Sequence, residues 1–118
     1  PTEKLVRRVR ELGITAPIIG FPRGAGLASS EYARRTGVDA LGLATSVWRT
    51  DLAPAGMPVQ GNLDPQLLVV GGAALERGVS EVLERFGGAP HIFNLGHGVT
   101  PEATPENVAR LVELVQGR

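Results

Sequence analysis

The stretch Met57-Pro58-Val59-Gln60-Gly61-Asn62-Leu63-Asp64-Pro65 places a short, largely apolar strand directly before the start of a helix. We predict the strand at 57–61. Asp64 suits the cap of the helix, because its carboxylate can accept a hydrogen bond from a free backbone N–H. Pro65 suits the first helical position, where the missing N–H has no cost. A strand that leads into a helix is the repeating unit of parallel β/α proteins.

The same unit recurs on both sides of this stretch. Further strands are predicted at 17–21, 40–44 and 91–95, and helices over 2–12, from 29 or 30 to 37, over 64–86 with a break at 71–72, and from 104 onward. The helices carry apolar residues three or four apart, and the strand at 17–21 is apolar on both faces, as buried parallel strands are. The stretch 46–53 predicts one helical turn at most. No linker divides the chain, so residues 1–118 are predicted to form a single α/β segment.

Glycine and hydroxyl residues mark the helix ends. Gly13 and Gly37 stand where helices commonly end in a left-handed residue. Ser29 or Ser30 is predicted to cap the helix before Gly37. Thr104, followed by a proline, is predicted to cap the last helix in the same way.

Four parallel strands alternating with helices fit two architectures. One is part of a (β/α)8 barrel, which needs eight strands and roughly 250 residues. The other is an open, flavodoxin-like sheet. The chain opens with a helix that leads into a strand, and we therefore favour half of a barrel over the open sheet. In both architectures the ligand face lies at the carboxyl ends of the strands.

Composition excludes several classes of protein. The chain carries 12 Lys and Arg against 12 Asp and Glu, so it has no net charge to attract nucleic acid or an anionic membrane. It has no cysteine, which excludes disulfides, thiolate metal ligands and a cysteine nucleophile. Its two histidines, without a carboxylate at ligand spacing, predict no metal site. No apolar run is long enough to cross a bilayer, no signal peptide is recognisable, and a cytoplasmic location is expected.

Two polar residues follow predicted strands in glycine-rich loops. His97, which follows the strand at 91–95, is either a hydrogen-bond donor or acid/base group, or a turn histidine bonded to a backbone carbonyl. Arg23, which follows the strand at 17–21, either binds an oxyanion or is a solvated loop residue. The residues by themselves leave both alternatives open.

Other polar residues have stronger structural interpretations. Asp64 is interpreted as a helix cap, Asn62 as a turn residue that bonds locally, and His91 as a surface or structural residue at the end of its strand opposite the predicted site. The loop 24–26 matches neither a dinucleotide-binding fingerprint nor a Walker loop, which argues against nucleotide binding. Trp48, the single tryptophan, lies in the weakly predicted stretch and is assigned no role.

Three strings of the chain, taken together, resemble one enzyme family. They are Gly20-Phe21-Pro22-Arg23-Gly24-Ala25-Gly26, Gln60-Gly61-Asn62-Leu63-Asp64-Pro65 and Phe93-Asn94-Leu95-Gly96-His97-Gly98. Their order and spacing are similar to those of uroporphyrinogen decarboxylases. In addition, Thr104-Pro105-Glu106-Asn107-Val108 stands where the final helix of that family begins. The resemblance covers essentially the whole chain and is greatest to bacterial members.

The resemblance implies the C-terminal half of a (β/α)8 TIM barrel in a cofactor-free carboxy-lyase of cytoplasmic haem biosynthesis. Such an enzyme removes carbon dioxide from the four acetate side chains of uroporphyrinogen III and yields coproporphyrinogen III. The resemblance further implies a tetrapyrrole substrate and a homodimer whose clefts face each other, while the balanced charge predicts no nucleic-acid or membrane partner.

The resemblance also implies three substrate-binding residues. His97 matches a substrate-binding histidine, Phe21 a pocket-lining aromatic position, and Arg23 a basic loop position with a weaker claim to substrate contact. The family's key aspartate, arginine-rich loop and pocket tyrosine belong to the N-terminal part of the barrel and match no residue here. No catalytic residue is therefore assigned in this segment, and the isolated chain is expected to be inactive.

The chain departs from the family pattern after its second strand. Ala44 stands where relatives usually carry an aspartate, and the stretch 47–51 is a few residues shorter than usual. We therefore expect the rim of the site to differ at this loop.

Three other interpretations come from different classes. A corrinoid-linked methyltransferase would share the barrel, but its zinc site uses cysteine, which this chain lacks. A non-catalytic half-barrel would bury its open sheet edges by self-association. A flavodoxin-like binding module would be a stable monomer with a ligand of its own.

Overall fold

The computed structural model describes residues 1–47 and 53–117, so Trp48, the shortened loop and most of the turn predicted at 46–53 lie outside the described residues. The strands are β1 (Ile19–Gly20), β2 (Ala40–Gly42), β3 (Val59–Leu63) and β4 (His91–Leu95). The helices are α1 (Thr2–Glu11), α2 (Ser29–Thr36), α3 (Gln66–Val70), α4 (Gly72–Phe86) and α5 (Pro105–Gln116), and a 3₁₀ turn at Gly26–Ala28 precedes α2. The predicted alternation of helices and strands is confirmed. None of the described helices has the length and apolar character needed to cross a membrane.

The strands lie side by side in chain order, and every pair is parallel. Gly20 pairs with Leu41, Leu41 with Val59, and Gln60 with Ile92. A flavodoxin-like sheet reverses its strand order at one point, and this sheet contains no reversal among its described strands. Because parallel crossovers are right-handed, strands in chain order place their connecting helices on one face, as in a (β/α)8 barrel.

The core lies between the sheet and this layer of helices. Its most deeply buried large side chains are Phe86, Leu41, Leu63, Leu68, Leu75 and Val79. Three of these belong to α4, where the spacing of four and seven residues directs them to one side of the helix. Each aliphatic side chain buried in this way contributes about 1.5–3 kcal/mol of transfer free energy. The core therefore fixes the face of the sheet that the helices cover.

The opposite face of the sheet is open. Ile19, Phe21 and Ile92 are 42%, 45% and 45% exposed, whereas Gly20 faces α2 and is buried. The prediction that the strand at 17–21 is buried on both faces is therefore wrong. Apolar residues indicate that a strand is buried. They do not indicate whether the described helices cover one face of the strand or both.

Strand β3 lies two residues later than predicted. Asn62 and Leu63 continue its pairing, opposite Asn94 and Leu95 of β4. Asn62 is 3% exposed and bonds across to another loop, so the prediction that it is a locally bonded turn residue is wrong. β4 has the predicted bounds, while β1 and β2 are shorter than predicted.

The predicted cap at Thr104 is confirmed, whereas Pro65, predicted as the first helical residue, is itself the N-cap of α3 and Asp64 bonds from the residue before it. The carboxylate of Asp64 accepts a hydrogen bond from the N–H of Gln66 at 2.9 Å, at the start of α3. The hydroxyl of Thr104 accepts one from the N–H of Asn107 at 3.2 Å, at the start of α5. Both side chains satisfy backbone donors that have no partner within the helix.

The serine cap predicted for α2 is wrong. Ser29 is already helical, and its hydroxyl donates to the carbonyl oxygen of Gly26 at 2.7 Å, while Ser30 accepts a hydrogen bond from Arg34. The 3₁₀ turn runs into α2 without an extended residue between them, which leaves no cap position for a hydroxyl. The left-handed conformation predicted after α1 and before β2 is confirmed at Gly13 and Gly37, with φ of 79° and 73°.

A sharp break separates α3 from α4 at Gly71, which has a φ of 67°. The amide of Asn107 on α5 packs against this break and donates from Nδ2 to the carbonyl oxygen of Leu68 at 2.8 Å. A Cβ at Gly71 would lie 2.6 Å from Oδ1 of Asn107. Glycine is therefore required at position 71 for two reasons, which are the positive φ of the backbone and the space that α5 occupies.

Candidate active site at the carboxyl ends of the strands

A cavity of about 420 Å³ opens on the uncovered face of the sheet. Residues from each strand or from the loop that follows it line this cavity, including Phe21, Leu43, Gln60, Asn94, Leu95 and His97. The volume falls in the range of about 300–1,000 Å³ that small-molecule sites occupy. The carboxyl ends of barrel strands are also where barrel enzymes bind their ligands.

Phe21 and His97 meet in this cavity. Their rings lie edge-to-face, with centroids 6.3 Å apart and planes at 68°. In a flat sheet β1 and β4 would stand three strand spacings, or about 14 Å, apart. The two side chains converge because both residues lie in loops beyond the ends of their strands and both line the cavity on the open face. The structure therefore brings together two of the three residues that the resemblance assigns to substrate binding.

The loop that carries His97 is fixed at its first residue. The N–H of Gly96 donates to the carbonyl oxygen of Leu63 at 2.8 Å, and Gly96 is buried while His97 is exposed. A side chain at Gly96 would overlap the backbone nitrogen and the hydroxyl of Thr45, so only glycine fits this close approach. Within the described part of the chain the imidazole of His97 has no hydrogen-bond partner, which leaves its ring nitrogens available to a ligand.

His91 has a different setting. Its Nε2 lies 2.6 Å from the carbonyl oxygen of Gly61, and its ring stacks on Phe86 with centroids 4.6 Å apart. These contacts join the amino end of β4 to β3 and α4. The structural interpretation of His91 is confirmed, and the two histidines of the chain have separate roles.

Arg23 lies outside the cavity that Phe21 and His97 share. Its side chain is exposed, and among the described residues it has no hydrogen bond or ion pair. The loop after β1 instead meets the loop after β2 around a smaller cavity of about 80 Å³, between Pro22 and Ala44. Substrate contact by Arg23 therefore stays a prediction.

Two cavity residues were missed as site residues in the sequence. Gln60 pairs with Gly42 of β2 and with Ile92 of β4 across the sheet, and it lines the cavity. Asn94 also lines the cavity, and its Oδ1 accepts the N–H of Leu95 at 2.8 Å. Gln60 and Asn94 are polar residues inside otherwise apolar strands. Such a residue indicates that one face of the strand contacts solvent or a ligand.

The cavity carries little formal charge. Among the described residues that line it, His97 is the one titratable group, and the other polar side chains are the neutral amides Gln60 and Asn94. In the described ranges no three His, Asp or Glu side chains gather where a metal ion could bind. This wall of the site therefore offers an aromatic ring and hydrogen-bonding groups.

Comparison with known proteins gives the family. The model of the family described as uroporphyrinogen decarboxylase (URO-D) matches residues 1–118. The chain belongs to the uroporphyrinogen decarboxylase family. It is 55% identical over 120 residues to the uroporphyrinogen decarboxylase of Hyphomonas neptunium and 50% identical over 121 residues to that of Maricaulis maris. These alignments cover 98% and 100% of this chain and 35% of each relative, so the chain spans 35% of their length.

Family membership and the sheet agree on the architecture. Uroporphyrinogen decarboxylases are (β/α)8 barrels, and this sheet has the chain-order strands and the one-sided helix layer of a barrel. The prediction of four parallel strands from a (β/α)8 barrel is confirmed, and the strand order excludes the flavodoxin-like alternative. Both relatives bear the decarboxylase name, so neither supports a corrinoid-linked methyltransferase.

Proposed function

We propose that this chain forms one wall of the substrate pocket of a uroporphyrinogen decarboxylase. The proposed reaction converts the four acetate side chains of uroporphyrinogen III to methyl groups, with release of carbon dioxide, and gives coproporphyrinogen III. The observation that carries the proposal is the meeting of Phe21 and His97 at the carboxyl ends of the strands, in a chain of this family.

His97 is proposed to hold a carboxylate of the substrate. Uroporphyrinogen carries eight carboxylates, and an imidazole N–H is a suitable donor to a carboxylate oxygen. The exposure of His97 and the lack of a hydrogen-bond partner for its imidazole among the described residues support this role. Hydrogen bonds to a charged acceptor are stronger than those between neutral groups, so one such contact can orient the macrocycle.

Phe21 and Gln60 are proposed to contact the macrocycle itself. Phe21 is 45% exposed and offers its ring to the pyrroles, a contact worth about 0.5–1.5 kcal/mol beyond the area that it buries. Gln60 lines the same cavity and offers an amide that can donate to a carboxylate. Arg23 is proposed to contact the substrate at the rim, because a guanidinium binds a carboxylate through two parallel hydrogen bonds.

In the proposed reaction, the residues of this wall position the substrate. Protonation of a pyrrole carbon makes the ring an electron sink, and the electron pair of the breaking bond to the carboxylate moves into it as carbon dioxide leaves. A proton then adds to the exocyclic carbon, and loss of the extra ring proton restores the pyrrole with a methyl group. Such a reaction depends on holding the macrocycle in one orientation, and this is the role proposed for His97 and Phe21.

The complete enzyme is proposed to act without a cofactor, as a cytoplasmic homodimer. Family membership supports these three features. The balance of 12 basic and 12 acidic residues in this chain gives no reason to expect a nucleic-acid partner.

A hybrid enzyme tests the proposed function. In it, this chain replaces the aligned segment of the Hyphomonas neptunium relative, which supplies the rest of a complete enzyme. We expect the hybrid to form coproporphyrinogen at a rate within about tenfold of that relative, because the proposed substrate contacts are retained. Chromatography of the products after oxidation to fluorescent porphyrins measures the rate.

Two further samples complete this experiment. The unmodified relative sets the reference rate, and the purified 118-residue chain alone is expected to show no turnover. A hybrid that melts cooperatively near the temperature of the relative, yet forms no coproporphyrinogen, would contradict the proposal.

A second candidate is a non-catalytic assembly of this chain with itself. The exposed Ile19 and Ile92 on the open face of the sheet favour it, because association would cover them. Light scattering of the purified chain over a range of concentrations tests this candidate, and an assembly would also melt at a higher temperature as concentration rises. A constant monomer mass with a constant melting temperature would exclude it.

A further inference from the structure

The buried side chain of Asn62 holds the loop that follows β2. Its Nδ2 donates to the carbonyl oxygens of Ala44 at 3.0 Å and of Val47 at 2.6 Å. Its Oδ1 accepts a hydrogen bond from the guanidinium of Arg85 at 3.4 Å. Asn62 is 3% exposed, and a buried amide whose donors both serve one loop fixes that loop in place.

The loop that Asn62 holds carries Thr45, which lies directly against the loop after β4. A Cβ on Gly96 would overlap the backbone nitrogen and the hydroxyl of Thr45. The hydroxyl of Thr45 is buried and has no hydrogen-bond partner in the described part of the chain. Thr45 and Gly96 therefore pack closely without a side-chain hydrogen bond in the described part of the chain, and the position of Thr45 limits where Gly96 can lie.

Both loops depend on the same end of β3. The side chain of Asn62 fixes the loop after β2, and the carbonyl of the next residue, Leu63, accepts the N–H of Gly96. His97 follows Gly96 directly. We propose that Asn62 is a positioning residue, which sets the place of His97 by holding Thr45 against Gly96. This inference rests on the proposed function, in which His97 binds the substrate.

The substitution Asn62→Asp in the hybrid enzyme tests the inference. It keeps the shape of the side chain but replaces the amide donor with an oxygen that faces two carbonyl oxygens, so the loop is released. We expect kcat/KM to fall by about 10- to 100-fold, the effect of misplacing a positioned group by roughly 1 Å. We also expect the Cε1–H signal of His97 in a ¹³C NMR spectrum to move, with the signal identified by its loss in His97→Asn.

Asn107→Asp is the matched control. Asn107 also donates from Nδ2 to a backbone carbonyl, that of Leu68 at 2.8 Å, but it does so between α5 and α3. Loss of this bond lowers the melting temperature without reaching the loops at the end of β3. We therefore expect the His97 signal and kcat/KM of Asn107→Asp to stay at the values of the parent hybrid.

Thr45→Ala provides a second test that does not depend on the folding of Asn62→Asp. It removes the hydroxyl that lies on the Gly96 side of Thr45, keeps the Thr45 backbone, and breaks no hydrogen bond among the described residues. We expect it to move the His97 signal and lower kcat/KM in the same direction. An unchanged His97 signal in Thr45→Ala would overturn the inference, as would equal changes in both readouts for Asn62→Asp and Asn107→Asp.

The inference and the proposed function fail in different ways. If the parent hybrid has no turnover, the proposed function fails, and the position of the His97 signal still tests whether Asn62 and Thr45 place this residue. If the parent turns over and the Asn62 and Thr45 variants match it in kcat/KM and in the His97 signal, the inference fails and the function stands.

Discussion

The imidazole of His97 lies edge-to-face against the ring of Phe21, although the two residues follow the last and the first strand of the sheet. Neither residue is fixed to the other by the backbone pairing of its own strand. Their meeting depends on the loops that follow β1 and β4, the second of which is anchored at Gly96. Substitutions at these two residues should therefore affect the ligand more than the fold.

His97→Asn in the hybrid enzyme should weaken substrate binding more than it lowers thermal stability. A hydrogen bond to a charged group is worth about 1.5–3 kcal/mol, which corresponds to a rise in KM of roughly 10- to 100-fold. The exposed imidazole has no hydrogen-bond partner among the described residues and contacts the half-exposed ring of Phe21, so the unfolding free energy should change by less than about 0.5 kcal/mol. Steady-state kinetics and calorimetry measure the two quantities.

His91→Asn is the control for His97→Asn and should give the reverse pattern. It removes the contact of Nε2 with the carbonyl of Gly61 and the stack on Phe86. We expect a loss of about 1–3 kcal/mol in unfolding free energy with little change in KM. If His97→Asn is the more destabilising of the two, His97 serves the fold and not the substrate.

Phe21→Ala should raise KM several-fold and leave the melting temperature nearly unchanged. The ring lines the cavity and is 45% exposed, so the folded chain alone gains little from it. Leu27→Ala is the control, because Leu27 is 75% exposed and does not line the cavity. Equal values of KM for the two variants would argue that Phe21 makes no substrate contact.

Gly71→Ala should destabilise the purified chain by about 2–4 kcal/mol. The new Cβ meets the amide of Asn107 and must adopt a φ of 67°. Gly13→Ala separates the two causes, since Gly13 has a φ of 79° but nothing within 4 Å of a Cβ. We expect Gly13→Ala to lower the unfolding free energy by only about 1 kcal/mol in urea titrations. Equal losses would mean that the contact with α5 contributes nothing.

Leu75→Ala should destabilise the chain by about 2–5 kcal/mol, because Leu75 is 0% exposed and its removal leaves a cavity between α4 and the sheet. Leu5→Ala on α1 removes the same atoms from a side chain that is 65% exposed, and should change stability by less than about 1 kcal/mol. Urea midpoints of the two variants provide the comparison, and similar midpoints would place the core elsewhere.

The order of helices and strands could be predicted because each unit carries its own local signals. Thr104 and Asp64 accept hydrogen bonds from free N–H groups near helix starts. These bonds join residues two or three positions apart, so they can be predicted from the sequence. The length of β3 was not predictable in this way. Asn62 is typical of turns by residue type, but its amide bonds a loop far away in the chain, and tertiary contacts of this kind override local preference.

The candidate site was predictable only in part. His97 and Phe21 were assigned through the resemblance, and their proximity is a tertiary contact between residues 76 positions apart, which no local pattern predicts. Gln60 was missed because a single polar residue in a strand does not show which face meets the cavity until the register is known. The role of Arg23 could not be predicted from its place in the loop near Phe21, because that place does not determine where a long, exposed side chain points.

Because each strand pairs with the one made just before it, a chain emerging from the ribosome can add its strands one at a time. The contact between Phe21 and His97 cannot form in this stepwise way. Phe21 meets His97 only after β4 has paired and the loop after it has formed, so this part of the cavity is completed later than the pairing of β1, β2 and β3. A chain halted before β4 would have three of the four described strands but would lack the residue, His97, that meets Phe21.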